Sequence, residues 1–496
     1  MRAPVRRNDA VPYLALGLLL LVALGIQTAN RQWSTDFFMH SATVRALEHD
    51  LVDPNHDMTG TDDPSERFNP YTATLAATAR TFDVSPTPVM QVAALANLVA
   101  FLVAFRLFVG ELTGRPRVPF FALLATLVLW GVDPWRWSGF LNLNSIGFGL
   151  PWPSMFVTAV VLFVGYALLR YDVSGSVWWL VVAAPGMALA GLTHPFTFMW
   201  SSVMLAALAF SRRLYRRDRV VPLVLAAVVT GGLLAAWPQY PFYQLGDLDD
   251  AYSNVMEVMY ERVPLRVVAA LPGFVVVAGR FRRDRRDPLA LMLIGGLSLY
   301  AFGAVADRPS FGRMLPLVML SAHIAIGILL ADLVERRRAA NPALVGWLAA
   351  SLAVGLVGAA PGFARMVPRG LLPGSLASEE SLLPIDEPYE ALEGALDRGA
   401  VVVAPSNLSA IAPAYGYAVV APSYPSAFVD DLDERRRDAA AFLLPSASAS
   451  DRTSIAQRYG IAAVLCATDA CPESIDGTVI ARTPDWILVA PRESSG

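Results

Sequence analysis

Long apolar runs separated by arginine clusters constrain this chain more than any other feature. A bilayer core about 30 Å thick needs roughly 20 apolar residues at about 1.5 Å of rise each. Eleven segments approach that length: 11–29, 89–109, 118–133, 154–170, 177–193, 195–210, 220–237, 265–279, 288–305, 314–333 and 342–361. The pair at 177–210 turns at Thr193-His194-Pro195. Between the runs, basic residues fall at alternate junctions: Arg2, Arg6 and Arg7 before the first, Arg115 and Arg117 after the second, Arg170 after the fourth. The series continues with Arg212, Arg213, Arg216, Arg217 and Arg219, then Arg280, Arg282, Arg283, Arg285 and Arg286, then Arg336, Arg337 and Arg338. Threading eleven spans in order puts every cluster on one side, which the positive-inside rule makes cytoplasmic. The N-terminus is then cytoplasmic and the tail of about 130 residues is outside.

The first run is read as a retained helix rather than a signal peptide. It is long, and Gln27-Thr28-Ala29-Asn30-Arg31-Gln32-Trp33 leaves the membrane without a small-residue cleavage site. With 55% apolar and 16% charged residues in 496, a soluble enzyme is excluded as a class. The net charge of -3 and the scattered arginines give no basic face for nucleic acid. All 39 basic residues are Arg, a bias that suits a GC-rich bacterial genome. The fold class expected is therefore an α-helical polytopic membrane protein of about 11 transmembrane helices. Its domains are a transmembrane domain, 1–362, with a long outer loop at 30–88; a linker at 363–384; and a small extracytoplasmic α/β domain at 385–496. In the tail we expect a helix at 388–398, strands at 400–404, 416–420 and 461–466, helices at 406–412, 430–444 and 451–459, and a hairpin at 477–491. No Gly-rich phosphate loop or nucleophile elbow appears there, so a binding or scaffolding role is expected. Cys466 and Cys471 are the two cysteines, and sequence leaves open whether they pair.

Outer segments hold the chemistry-bearing side chains. Asp36 heads a helical stretch just past the first span that would lie along the membrane surface; it reads either as an N-cap or, with His40 one turn on, as a proton-accepting site. The loop 30–88 carries nine acids against four Arg and three of the five His. His49 and His56 there, and Asp247 and Asp249 further on, are candidates for a divalent metal (Mg or Mn), or merely solvated groups. Trp135 and Arg136 lie in a Trp- and amide-rich segment at 133–153, and Tyr240 in a Tyr- and acid-rich one at 238–264; all three are candidates for lining a ligand site, or an interfacial belt. His194, at membrane depth, either faces a cavity or bonds between helices. Arg308 and Arg313 near the outer mouth of the tenth span suit a phosphate, or snorkel to headgroups. His323 is deeper and reads as structural.

These features together resemble the GT-C superfamily of integral-membrane glycosyltransferases. The resemblance rests on Asp36 just beyond the first span, the juxtamembrane helix after it, the loop closing at Phe68-Asn69-Pro70-Tyr71, the Arg308/Arg313 region and the appended outer α/β domain. Asp36 is followed by Phe37, not by a second acid as in the polymyxin-resistance and protein O-mannosyltransferase patterns. The resemblance implies a hexosyl- or pentosyltransferase that uses a polyprenyl-phosphate-sugar donor and a glycan, lipid or protein acceptor of the cell envelope. Asp36 would be the general base, His40 its helper, and Arg308 and Arg313 the receivers of the leaving phosphate. Two other classes stand beside it: a secondary transporter or lipid flippase, and a non-catalytic envelope assembly protein. The lack of an internal repeat and the few charges within the spans speak against the transporter.

Overall fold

The computed structural model describes residues 10–247, 255–336, 341–373, 384–472, 475 and 477–491. The chain divides into two compact units, one of Met1–Gln32, Gln91–Ala236 and Tyr252–Leu382, the other of Trp33–Met90, Trp237–Ala251 and Leu383–Gly496.

The first unit is a helical bundle, and each of the eleven apolar runs is helical within it. Eight helices among the described residues are long and apolar enough to cross a membrane: Val11–Ala29 (α1), Pro86–Thr113, Pro153–Ser174, Arg217–Ala235, Val263–Arg283, Pro288–Val305, Pro309–Glu335 and Pro342–Arg365. Val118–Val128, Trp178–Thr193 and Pro195–Ser211 are shorter apolar helices. The chain is thus a multi-pass membrane protein. Helix starts follow local chemistry: Pro288 and Pro342 occupy first-turn positions where no amide donor is needed, after Asp287 and Asn341, whose side chains accept from Ala290 and Ala343 amides.

Two boundaries differ from expectation for one reason. The run at 118–133 is helical only to Val128, and that at 265–279 breaks at a single tight turn, Val268–Ala270. The broken backbones satisfy each other, the Ala269 amide donating to the Trp130 carbonyl (2.7 Å) and the Val132 amide to that of Leu265 (3.1 Å). Irregular backbone at this depth survives only when protein supplies its hydrogen bonds. His323 donates its Nε2–H to the Leu129 carbonyl (2.7 Å) and packs on Trp130, as a structural residue should.

Arginines at the helix ends identify which ends lie together. Arg115 pairs with Asp332 and Glu335, Arg170 with Glu111, and Arg212 with Asp172. The distal ends of the second, fourth, sixth and tenth runs therefore share one end of the bundle, as ordered threading requires.

The second unit joins the first outer loop to the tail. Helix α2 (Asp36–His49) and helix α3 (Pro70–Phe82) pack on each other. Strands β1 (Val401–Val403), β2 (Ala418–Val419), β3 (Ile461–Ala467), β4 (Gly477–Arg482) and β5 (Trp486–Pro491) form a mixed sheet in the order β2-β1-β3-β5-β4. β1 runs parallel to β2 and β3, while β5 is antiparallel to β3 and β4. Helices Leu432–Leu443 and Ala449–Tyr459 supply the crossover to β3. The expected helix at 388–398 shrinks to a tight turn, Glu387–Leu392, followed by Gly394 in the left-handed region (φ 71°). At the β2 edge the Val419 amide donates to the Met58 carbonyl (2.8 Å), so the outer loop covers that edge of the sheet. Cys466, on β3, is joined by a disulfide to Cys471.

Candidate active site

In the second unit, α2 begins at Asp36, the first helical residue, while Thr35 takes the cap position without a side-chain bond. Asp36 is thus not an N-cap. Its half-buried carboxylate accepts from the phenolic O–H of Tyr424 (3.3 Å). One turn later His40 is buried. α2 does not present one apolar stripe: Phe37, Phe38, Ser41, Thr43, Val44 and Leu47 are all buried, on several faces.

Beside α2 lies a buried charge network. Arg67 binds Asp57 through two hydrogen bonds, Nε to Oδ2 (2.7 Å) and Nη2 to Oδ1 (2.8 Å), and Thr43 donates to the same carboxylate (2.6 Å). Arg67 also reaches Glu66 (2.5 Å) and the Pro425 carbonyl (3.5 Å). His56 Nδ1 accepts from the Met58 and Thr59 amides (3.3 and 3.2 Å), which leaves the proton on Nε2, facing Ser426 Oγ at 3.2 Å. Ser426 in turn donates to Glu66 (3.2 Å).

The network sets the ionisation of its members. Burial pushes the Asp57 carboxyl up, but the Arg67 guanidinium, by charge and hydrogen bonds, with His56 and Thr43, holds it well below the usual carboxylate range. Burial lowers the His40 imidazole to about 3, Arg67 adding to this and Asp57 opposing it, so His40 is neutral at physiological pH. Burial lowers His56 as well. The backbone carrying Arg67 is fixed in its turn: Asn69 and Thr72 side chains donate to the Arg67 carbonyl, and Asn69 caps α3 in a reciprocal box with Thr72.

Tyr240 belongs to this unit, fully buried against Phe428, and its hydroxyl pKa is raised by burial and by Glu66. It is a core residue. His49 is exposed at the end of α2, and His56 has both ring nitrogens engaged, so the two are not a ligand pair. Asp249 and the side chain of Asp247 lie outside the described residues. Among the described residues no group of three or more His, Cys, Asp or Glu is placed to hold a metal ion.

The first unit holds the other candidates. Arg313 is buried, donates to the Ser138 carbonyl (2.6 Å), and lies over the rings of Trp137 (4.9 Å) and Phe196 (5.0 Å). His194 caps the helix Pro195–Ser211: its Nδ1 accepts from the Thr197 amide (3.2 Å) and meets the Thr197 hydroxyl (2.8 Å). Ser138 bonds Ser154 (2.6 Å), and a Cβ on Gly139 would touch His194 and Thr197. Arg313, Trp137, Ser138 and His194 thus surround one Phe196-Thr197 corner. Arg308 is exposed and Arg136 is exposed, whereas Trp135 is wholly buried, its indole N–H donating to the Val258 carbonyl (3.4 Å) under Arg266. Burial removes Trp135 from any ligand surface; Trp137, two residues on, has the partly open ring.

Sequence reasoning missed Tyr424, Arg67 and Ser426. Arg67 stands beside Phe68-Asn69-Pro70, whose capping signal marks a fixed backbone, and that was the one local clue. Tyr424 lies 388 residues from Asp36, so no local pattern links them.

Neither a protein-family profile nor a curated protein sequence matches the chain. Solved structures do. An oligosaccharyltransferase from Archaeoglobus fulgidus, tethered with an acceptor peptide, superposes with a TM-score of 0.55 at 12% identity, over 92% of this chain and 69% of that one. The same organism's oligosaccharyltransferase AglB, in complex with an inhibitory peptide and a dolichol-phosphate, gives a TM-score of 0.53 at 12% identity over the same shares. ArnT from Cupriavidus metallidurans in the apo state gives 0.54 at 16% identity, over 97% of this chain and 98% of that one. These are glycosyltransferases of the GT-C superfamily. The chain, in its helical bundle and its appended sheet, has the GT-C fold.

Proposed function

We propose that this protein is a membrane glycosyltransferase that moves a sugar from a polyprenyl-phosphate donor to an extracytoplasmic glycan, lipid or protein acceptor, with Asp36 as general base. The observation that carries this reading is Asp36 itself: a half-buried carboxylate at the first turn of α2, hydrogen-bonded to Tyr424, on a GT-C fold. Support comes from the neighbours, one holding a dolichol-phosphate and one an acceptor peptide. The disulfide in the sheet suits an oxidising compartment, and nucleotide sugars are cytoplasmic, so a lipid-borne donor suits an outer site.

In the proposed displacement the acceptor hydroxyl gives its proton to Asp36 as its oxygen bonds the anomeric carbon. The bond from that carbon to the phosphate oxygen breaks, and the lipid phosphate leaves as an anion. His40, neutral, acts as a hydrogen-bonding neighbour rather than a proton store. Within the helical bundle, Arg313, held by two rings and a carbonyl, offers fixed N–H donors of the kind that suit a phosphate.

The test is transfer in membranes from a panel of polyprenyl-phosphate-linked hexoses and pentoses. Asp36→Asn should lower transfer on the order of 100-fold or more, the range for loss of a general base, at unchanged expression. Transfer at the parental rate overturns the assignment of Asp36, and countertransport in proteoliposomes with no transfer from any donor overturns the enzyme.

A further inference from the structure

The loop after β2 clasps the first outer loop with three consecutive residues. Tyr424 donates to Asp36 Oδ1 (3.3 Å), the Pro425 carbonyl accepts from Arg67 (3.5 Å), and Ser426 bonds His56 and Glu66 (3.2 Å each). Two of these anchors are buried: Arg67 is 6% exposed and Ser426 8%. The Phe428 amide donates back to Ser426 Oγ (3.4 Å), and its ring packs on buried Tyr240, which closes the clasp on its far side. A loop tied at such points has little freedom to carry its tyrosine elsewhere, since moving it would strip partners from a buried cation.

We propose that Tyr424 is a positioning residue for Asp36: its phenolic O–H, held in place by the clasp, fixes the orientation of the carboxylate and favours its ionised form. The proposal rests on the reading of Asp36 as the base, and it adds a residue from the tail to the apparatus around it. A hydrogen bond donated to a carboxylate stabilises the charged state over the protonated one. Such a donor keeps the base deprotonated over a wider pH range and aimed in one direction, at the cost of some basicity. Besides Asp36, the charged and titratable groups of the elements packed here are His40, Arg45, Glu48 and His49 on α2, Tyr71 and Arg80 on α3, Tyr415 in the turn Ala412–Tyr415 against α2, and His56, Asp57, Glu66 and Arg67 of the outer loop. Arg45 is paired with Glu393, and the last four are bonded within the network. Tyr424 donates to the Asp36 carboxylate itself.

Tyr424→Phe removes only the hydroxyl, and the full-length protein in detergent gives a readout that needs no sugar donor. Carbodiimides attack protonated carboxyls, so the yield of labelled Asp36 peptide against pH, read by mass spectrometry, reports its titration. In Tyr424→Phe the midpoint should rise by about one pH unit, the scale of one lost hydrogen bond to a charged group. The acid limb of the pH profile of transfer should move the same way. Ser426→Ala, which loosens the clasp and keeps the hydroxyl, should shift the midpoint in the same direction by less. A midpoint and an acid limb unchanged in Tyr424→Phe overturn the proposal, whether or not thermal stability changes. The two readings fail separately: full transfer by Asp36→Asn removes the base, whereas an inactive Asp36→Asn with an unshifted Tyr424→Phe profile removes only Tyr424.

Discussion

Asp57 and Arg67 show how single residues make the second unit sensitive to acid. Both are buried, and each compensates the other, so removing one would leave a charge without its partner, a loss of about 3–5 kcal/mol. His40 and His56 sit beside them in neutral form. A group whose folded-state pKa is depressed gives stability that is complete above its unfolded value and is lost as pH falls toward the folded one. For His40 that window opens at about 6.5, the unperturbed value, and extends down to about 3. Asp57, depressed in the same direction, adds its loss below about 4. Thermal melts of the purified protein should therefore fall steadily from pH 7 to pH 4, with His40→Gln flattening the upper part of the slope. A melting temperature level across that range would remove the buried imidazoles as the cause.

Elements pack in the first unit through glycines where backbones nearly touch. On the helix Pro342–Arg365, a Cβ at Gly355 would run into the Val128 carbonyl and one at Gly358 into that of Gly131. These contacts fall on the last residue of the helix Val118–Val128 and on the irregular stretch after it, the same stretch that satisfies the broken helix at 268–270. Asn144 secures the arrangement by donating to the Gly358 carbonyl (2.8 Å). Close approach of this kind is what small residues give to membrane helices. Gly358→Val should force the helix away and cost at least the 1–3 kcal/mol typical of overpacking, read as a lower melting temperature and faster cleavage in the 129–133 segment by limited proteolysis. Gly346→Val on the same helix, where a Cβ meets nothing within 4 Å, is the control expected to change little.

At the scale of the whole molecule, charge placement gives the bundle two unlike ends. Arginine placement predicts that the end of the bundle bearing Arg115, Arg170 and Arg212 is cytoplasmic. Both native cysteines are bonded to each other, which leaves a clean background for labelling. Val52→Cys, at a residue 84% exposed on the first outer loop, should react with an impermeant maleimide in intact cells. Arg117→Cys should react only in inverted vesicles; the opposite pattern would reverse the orientation and withdraw the argument for a lipid-borne donor.

Hydropathy and charge by themselves determined the helical bundle, because a span is a local property: about 20 apolar residues and the arginines at their ends are read from neighbours in sequence. The strands of the tail and its two longer helices were legible for the same reason, as was the cap at Asn69, whereas the helix expected at 388–398 was not formed. Asp36 stood out by its place after the first span, though its surroundings did not. Tertiary structure decided that Trp135 and Tyr240 are core residues, that His56 belongs to a hydrogen-bonded network, and that the outer loop and the tail form one unit. Each of these depends on contacts between residues 10 to 388 positions apart, where burial and pairing arise only once the chain has closed on itself. A carboxylate in an acidic loop and a carboxylate gripped by a buried arginine have the same letter, and only the fold separates them.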